Sequence, residues 1–228
     1  MYSKTKIAVP IFKKNKKEIL KIAKEYVDKG IDIIDLRIDA INKPTPKMVK
    51  EIIQEINFPI IATNRIQNEG GSFKGSDEER IAILEASSEF AEYVDIELQN
   101  KTEDIKSIVE TGVKTIISYH DFKKTPPLSE MLNIVKEELE IGDIAKIAVK
   151  GNTLKDTIDI LAISSKCDNT IAISMGDLGS YTRAIAPKFK APITFAALDD
   201  VTAPGQIDFE TMKWILNLNI IDADKLIK

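Results

Sequence analysis

The chain has 228 residues, 43% hydrophobic and 30% charged, with a formal net charge of −4, one histidine and one cysteine. That length can bury a sizeable core and lies in the upper range for one domain, so residues 1–228 read as a single unit. Interspersed charges and few aromatics speak against nucleic-acid binding. Apolar runs far short of a membrane span, and a start at Met1-Tyr2-Ser3-Lys4 with no signal-peptide pattern, speak against a membrane or export role. The lone Cys167 cannot close an internal disulfide, which points to a reducing cytoplasm. One histidine and one cysteine are too few for the usual zinc sites, so no metal is expected.

Short Ile/Val/Ala-rich runs alternate with longer amphipathic segments, the pattern of repeated βαβ units. In chain order the strands are expected at 6–10, 31–37, 59–63, 93–98, 114–118, 143–149, 170–174 and 191–195. The helices that follow them are expected at 15–29, 47–56, 77–88, 102–111, 129–138, 153–164, 178–186 and 209–218. Asn15, Asn152-Thr153 and Ser76-Asp77-Glu78-Glu79 are helix start signals. Eight units in 228 residues fit a compact α/β fold, a single-domain (β/α)8 TIM barrel. A doubly wound open sheet is the competing architecture.

In such a barrel the active site lies at the C-terminal ends of the strands. The second strand ends Asp35-Leu36-Arg37, whose alternation puts two charges on one face. The third runs into Arg65 and then Asn68-Glu69-Gly70-Gly71, and the fourth carries Asp95 and Glu97. The fifth leads to His120, and the seventh leads through Ser174-Met175 towards Arg183. The eighth is followed by Thr202-Ala203-Pro204-Gly205-Gln206. The sixth holds Lys146 inside the apolar run Ile144-Ala145-Lys146-Ile147-Ala148-Val149. Burial disfavours an ammonium ion, and a neutral lysine amine is a nucleophile that forms Schiff bases with ketones. The plain alternative is an ion pair between Lys146 and Asp143 or Glu97; for Asp95 and Glu97 internal salt bridges are the preferred reading. Arg37, Arg65, Arg183 and Lys146 converge on one mouth, which suits a small polyhydroxylated keto-carboxylate. The acid in Gly176-Asp177-Leu178-Gly179 disfavours a phosphate there. The segments 68–76 and 197–206 are candidate lids.

Taken together, these pieces resemble the type I 3-dehydroquinate dehydratases over nearly the whole chain. The most specific segments are Ser118-Tyr119-His120-Asp121-Phe122-Lys123-Lys124-Thr125-Pro126 and Lys146-Ile147-Ala148-Val149. Asp35-Leu36-Arg37, Arg65 to Gly71, Arg183 and Thr202 to Gln206 support them. The resemblance implies that Lys146 forms an imine with the ketone of 3-dehydroquinate, that His120 is the general acid/base and that Glu69 orients it. It also implies substrate-binding roles for Asp35, Arg37, Arg65, Arg183, Thr202 and Gln206, and no metal or organic cofactor. Departures are Asp35 where many relatives carry glutamate, Thr202 where serine is common, and Pro10 where some carry serine. Another Schiff-base barrel lyase, such as a class I aldolase, and a non-catalytic carboxylate-binding barrel are the rival readings. The sequence leaves the oligomeric state open; a homodimer is one assembly it allows.

Overall fold

The computed structural model describes residues 5–198 and 203–217. Eight parallel strands, β1 (Lys6–Ile11), β2 (Ile33–Arg37), β3 (Ile60–Thr63), β4 (Tyr93–Glu97), β5 (Lys114–Asp121), β6 (Ile144–Lys150), β7 (Thr170–Met175) and β8 (Ile193–Ala197), alternate with helices. These helices are α1 (Lys16–Asp28), α2 (Pro46–Ile56), α3 (Asp77–Ser87), α4 (Thr102–Glu110), α5 (Leu128–Ile141), α6 (Leu154–Lys166), α7 (Tyr181–Ile185) and α8 (Phe209–Asn217). A two-residue strand, β9 (Ile207–Asp208), adds to β8.

The strand order is β7-β6-β5-β4-β3-β2-β1-β8-β9. A doubly wound sheet reverses direction at its first strand. Here the first seven strands run consecutively and β8 returns to β1, the order of a barrel cut open between β7 and β8. One apolar cluster draws residues from all eight strands, including Ala8, Ile33, Ile61, Tyr93, Ile116, Ile144, Ile171 and Ile193. Only a sheet curled on itself brings these together, so the fold is a (β/α)8 barrel with a side-chain-filled interior. The opposite face of each strand is also apolar and packs under the helices, as with Ala145, Ile147 and Val149 against Met131 and Val135 of α5 and Ile160 and Ile163 of α6.

The local signals behave as their chemistry dictates. Asn15 caps α1 by accepting from the Glu18 N–H, and Ser76 with Glu79, and Thr153 with Asp156, form reciprocal capping boxes. Three expectations need correction. The fifth strand does not stop at Ser118 but runs to Asp121, because ladder pairing with β6 continues through His120↔Ala148 and Asp121↔Val149. The seventh helix, expected over 178–186, is broken into a 3-10 turn (Asp177–Gly179), the short α7 and a second 3-10 turn (Ala186–Phe189). Thr182 causes part of this: its hydroxyl donates to Gly179 O and accepts from Ser174 N, holding the turn against the end of β7. The ninth strand was not expected at all.

Candidate active site

Strand alternation explains why the charges lie inside. On β6, Ala145, Ile147 and Val149 face the helices, so Ile144, Lys146 and Ala148 face the barrel axis. Lys146 is 6% exposed. Its Nζ donates to Asp95 Oδ2 at 2.7 Å and lies 4.6 Å from the centre of the Phe195 ring. The ion pair weighed in the sequence is therefore real, but its partner is Asp95. Asp143 instead accepts from the Thr115 N–H at the far end of β5, and Glu97 pairs with arginines.

Asp95 is fully enclosed and takes two more donors on Oδ1, Arg65 Nη2 and Ser118 Oγ, each at 2.7 Å. Burial alone would raise its pKa; the Arg65 and Lys146 cations overcome that and hold it well below the usual carboxylate range. Arg65 is spoken for as well, with Nη1 donating to Glu97 Oε1 at 2.9 Å and to Ser118 Oγ at 2.7 Å. Glu97 is the hub behind the site, since it also pairs with Arg80 at 3.0 Å and accepts from Ile66 N at 3.1 Å. The reading of Asp95 and Glu97 as internal salt bridges holds.

His120 Nδ1 lies 2.8 Å from Glu69 Oε2, and Gln99 Nε2 donates to Glu69 Oε1 at 2.6 Å. The turn that presents Glu69 depends on glycine. A side chain at Gly71 would put its Cβ 1.8 Å from the Arg65 carbonyl oxygen, and Gly70 has φ +81° with the Phe122 ring lying where a Cβ would go. Phe122 also stacks beside His120, with centroids 6.5 Å apart and planes at 15°. Burial pushes the Glu69 carboxyl up to about 8, against the opposing Arg65 cation. Burial also holds His120 well below its ordinary value, and the Arg65 and Lys146 cations add to this. Across the neutral range the dyad therefore keeps one ionisable proton between its two members, whichever member carries it.

Lys146, His120 and Glu69 line one cavity with Asp35, Arg37, Arg65, Arg183 and Gln206, so eight of the nine site residues expected from sequence converge. The ninth, Thr202, lies outside the described residues. The cavity spans about 540 Å³ with its open mouth and has an apolar wall of Phe122, Ala148, Ile173, Met175 and Phe195. Asp35 accepts from Thr63 Oγ1 at 2.7 Å; burial raises its pKa, opposed by Lys146 and Arg37. Arg37 is fixed by a two-pronged pair to Asp39 at 2.9 and 2.8 Å. Arg183 differs: it is 2% exposed, its Nε has no partner, and burial alone pushes it down to about 10. At neutral pH it remains a cation, with no carboxylate paired to it among the described residues. A buried, uncompensated guanidinium facing a cavity is a site prepared for an anion. Among the described residues no group of His, Cys, Asp and Glu is arranged to hold a metal ion.

Comparison with known proteins decides the lineage. The family model described as type I 3-dehydroquinase matches residues 7–223. The chain belongs to the type I 3-dehydroquinase family. It is 60% identical over 220 residues to the 3-dehydroquinate dehydratase of Methanobrevibacter smithii, covering 96% of this chain and 98% of that protein. It also superimposes on the type I 3-dehydroquinate dehydratase of Clostridium difficile with a TM-score of 0.88, at 34% identity, covering 95% of this chain and 92% of that one. That relative was crystallised with covalently modified comenic acid. The enzyme from Aquifex aeolicus gives a TM-score of 0.80 at 36% identity, covering 93% of this chain and 97% of that one.

Within this type I 3-dehydroquinase fold, sequence reasoning missed three contributors. Ser118 was read only as a motif letter, yet it bridges Arg65 and Asp95. Gln99 carried no signal at all before its bond to Glu69 was visible. Asp95 was recognised as buried and paired, but nothing local shows that its partner across 51 residues is Lys146.

Proposed function

We propose that the chain dehydrates 3-dehydroquinate to 3-dehydroshikimate through an imine on Lys146, a step of the shikimate pathway towards aromatic amino acids. The observation that carries this reading is a buried lysine and a partly buried histidine on adjacent strands, lining one cavity with a buried arginine that no carboxylate among the described residues pairs. In this reading Arg183 grips the substrate carboxylate, and Asp35, Arg37, Arg65, Gln206 and Thr202 surround the hydroxyls and ring. Lys146 adds to the ketone as the neutral amine, and the proton it sheds on attack returns as the carbinolamine loses water, so the balance is ammonium plus ketone to protonated imine plus one water. The iminium acidifies the adjacent C–H, and His120 removes that proton to leave a neutral enamine. The enamine expels the hydroxyl as His120 returns a proton to it, and hydrolysis frees product and lysine. Borohydride reduction in the presence of 3-dehydroquinate, followed by intact mass and peptide mapping, tests this directly. A dehydrated-substrate adduct on Lys146 is expected; no adduct on folded protein with ketone present overturns it. A class I aldolase would instead yield two fragments and no ultraviolet-absorbing enone.

The base form of His120 sets a pH dependence. When the dyad holds its proton, Nε2 carries hydrogen; when the proton leaves, Nδ1–H donates to the Glu69 carboxylate and the Nε2 lone pair is free. Since Glu69 sits at about 8, kcat/KM is expected to rise as pH increases through that region. Glu69→Gln removes the carboxyl titration, so the acid limb moves to lower pH while the maximal rate falls, because imidazolium loses its counter-charge. A pH–rate series on both proteins checks this; an unmoved acid limb in Glu69→Gln contradicts it. For Arg183→Ala the expected result is a KM raised roughly 10–100-fold with kcat less affected, the value of a charge-assisted bond to a carboxylate. Initial-rate kinetics separate the two parameters.

Three further points belong to the same reading. The chain works as one catalytic domain and in the cytoplasm, for which Cys167 as a free thiol is the supporting feature. It assembles as a homodimer, supported by the exposed apolar side chains Leu154 and Ile158 on α6 beside Leu178 of the adjoining turn.

A further inference from the structure

Among the buried carboxylates of the described residues, Asp95 alone bonds to the nitrogen on which the proposed chemistry occurs. We infer that Asp95 is a catalytic residue, the counter-anion that faces the Lys146 nitrogen and stabilises the positive charge of the iminium formed there. The inference rests on the imine reading above and deepens it.

The geometry supplies both parts of that role. Asp95 Oδ2 is 2.7 Å from Lys146 Nζ, and the carboxylate side chain is wholly enclosed. In forming the imine, ammonium plus ketone gives iminium plus water, so one positive charge sits on the same nitrogen before and after. A buried cation without a counter-charge would shed its proton, and a neutral imine is a poor electron sink. Asp95 faces that nitrogen in both states. Its other oxygen is held by Arg65 and Ser118, so the carboxylate is fixed in place and its negative charge is shared. A carboxylate shared with Arg65 stabilises the iminium without quenching its electrophilicity. Arg65, tied to Glu97 as well, keeps a partner if Asp95 changes.

The other charged groups that act on Lys146 set a background against which Asp95 stands out. Asp35 on β2 and His120 on β5 feel its charge from inside the barrel, and Glu138 on α5 feels it from behind the sheet. Beneath Nζ on the β8 side lies the uncharged Phe195 ring. Among the described residues the direct bond to Nζ comes not from these groups but from Asp95.

The test is Asp95→Asn, with adduct formation on 3-dehydroquinate followed by cyanoborohydride, which reduces iminium and spares neutral imine. Trapped adduct on Lys146 is measured by mass across pH 5 to 10 beside the unsubstituted protein. Losing an opposite charge at this range is expected to move the whole trapping profile towards acid by about one pH unit or more, with turnover at neutral pH falling at least about tenfold. Ser118→Ala removes a neutral donor from the same carboxylate and leaves more of its charge for the nitrogen, so its profile moves towards alkali. It also serves if Asp95→Asn fails to fold by circular dichroism. A profile that drops in height at every pH without moving, in either variant, overturns the counter-anion role. If the unsubstituted protein itself yields no adduct, the imine reading fails instead.

Discussion

Lys146→Ala is expected to reduce turnover by roughly 10⁴-fold or more, because without the amine no imine forms and the residual site can only bind. The barrel should survive the change. Breaking a buried ion pair is costly when it strands a charge, at about 3–5 kcal/mol. Asp95 is not stranded here, since Arg65 and Ser118 remain bonded to its other oxygen. The space left by the side chain joins the open cavity rather than forming a dry void. Circular dichroism and thermal melting report the fold, and the ultraviolet absorption of the conjugated product reports the rate. A variant turning over near the original rate would remove Lys146 from the mechanism.

His120→Ala separates attachment from elimination. Proton abstraction and proton return both pass through the imidazole, so a rate lower by about 10²–10⁴-fold is expected. Imine attachment needs the amine and a ketone held in place, which Lys146 and Arg183 supply. The substrate adduct should therefore accumulate, undehydrated, and appear in mass spectra after reduction. Glu69 keeps Gln99 as a partner, so the loss of the ring does not leave that carboxyl bare. A folded variant with no adduct would show that His120 also serves the attachment step.

Much of this was legible in the chain because the barrel's rules are local. Ile-rich runs mark strands buried on both faces, and Asn15, Ser76 and Thr153 mark helix starts by bonding backbone only three residues ahead. Lys146 announced itself by being polar at an inward position of an apolar strand. What stayed hidden depends on contacts far apart in sequence. The two-residue β9 has no pattern of its own and exists because Ala196 and Ala197 offer it an edge. The broken seventh helix follows from where Thr182 meets the backbone of β7, eight residues away. Barrel register puts Glu97, through Ser118, level with Lys146, and the lysine pairs with Asp95 instead because Arg65 and Arg80 already engage Glu97, contacts that no window of sequence contains.

Among the described residues β7 and β8 share no ladder, which divides the site into two mechanical parts. Lys146 and His120 sit on strands locked by six consecutive register pairs, Ile116↔Ile144 to Asp121↔Val149. Arg183 follows β7 and Gln206 follows β8, on the two sides of the one join closed without strand pairing among the described residues. There Ile173, Met175 and Phe195 meet in the interior, the Gly176 N–H donates to Pro204 O above them, and Thr194 Oγ1 donates to the Arg183 carbonyl. In the proposed mechanism the reacting atoms are thus mounted on the stiff arc of the ring and the gripping groups on its clasp. Loosening the clasp alters how tightly a carboxylate is held well before it disturbs how fast a proton moves.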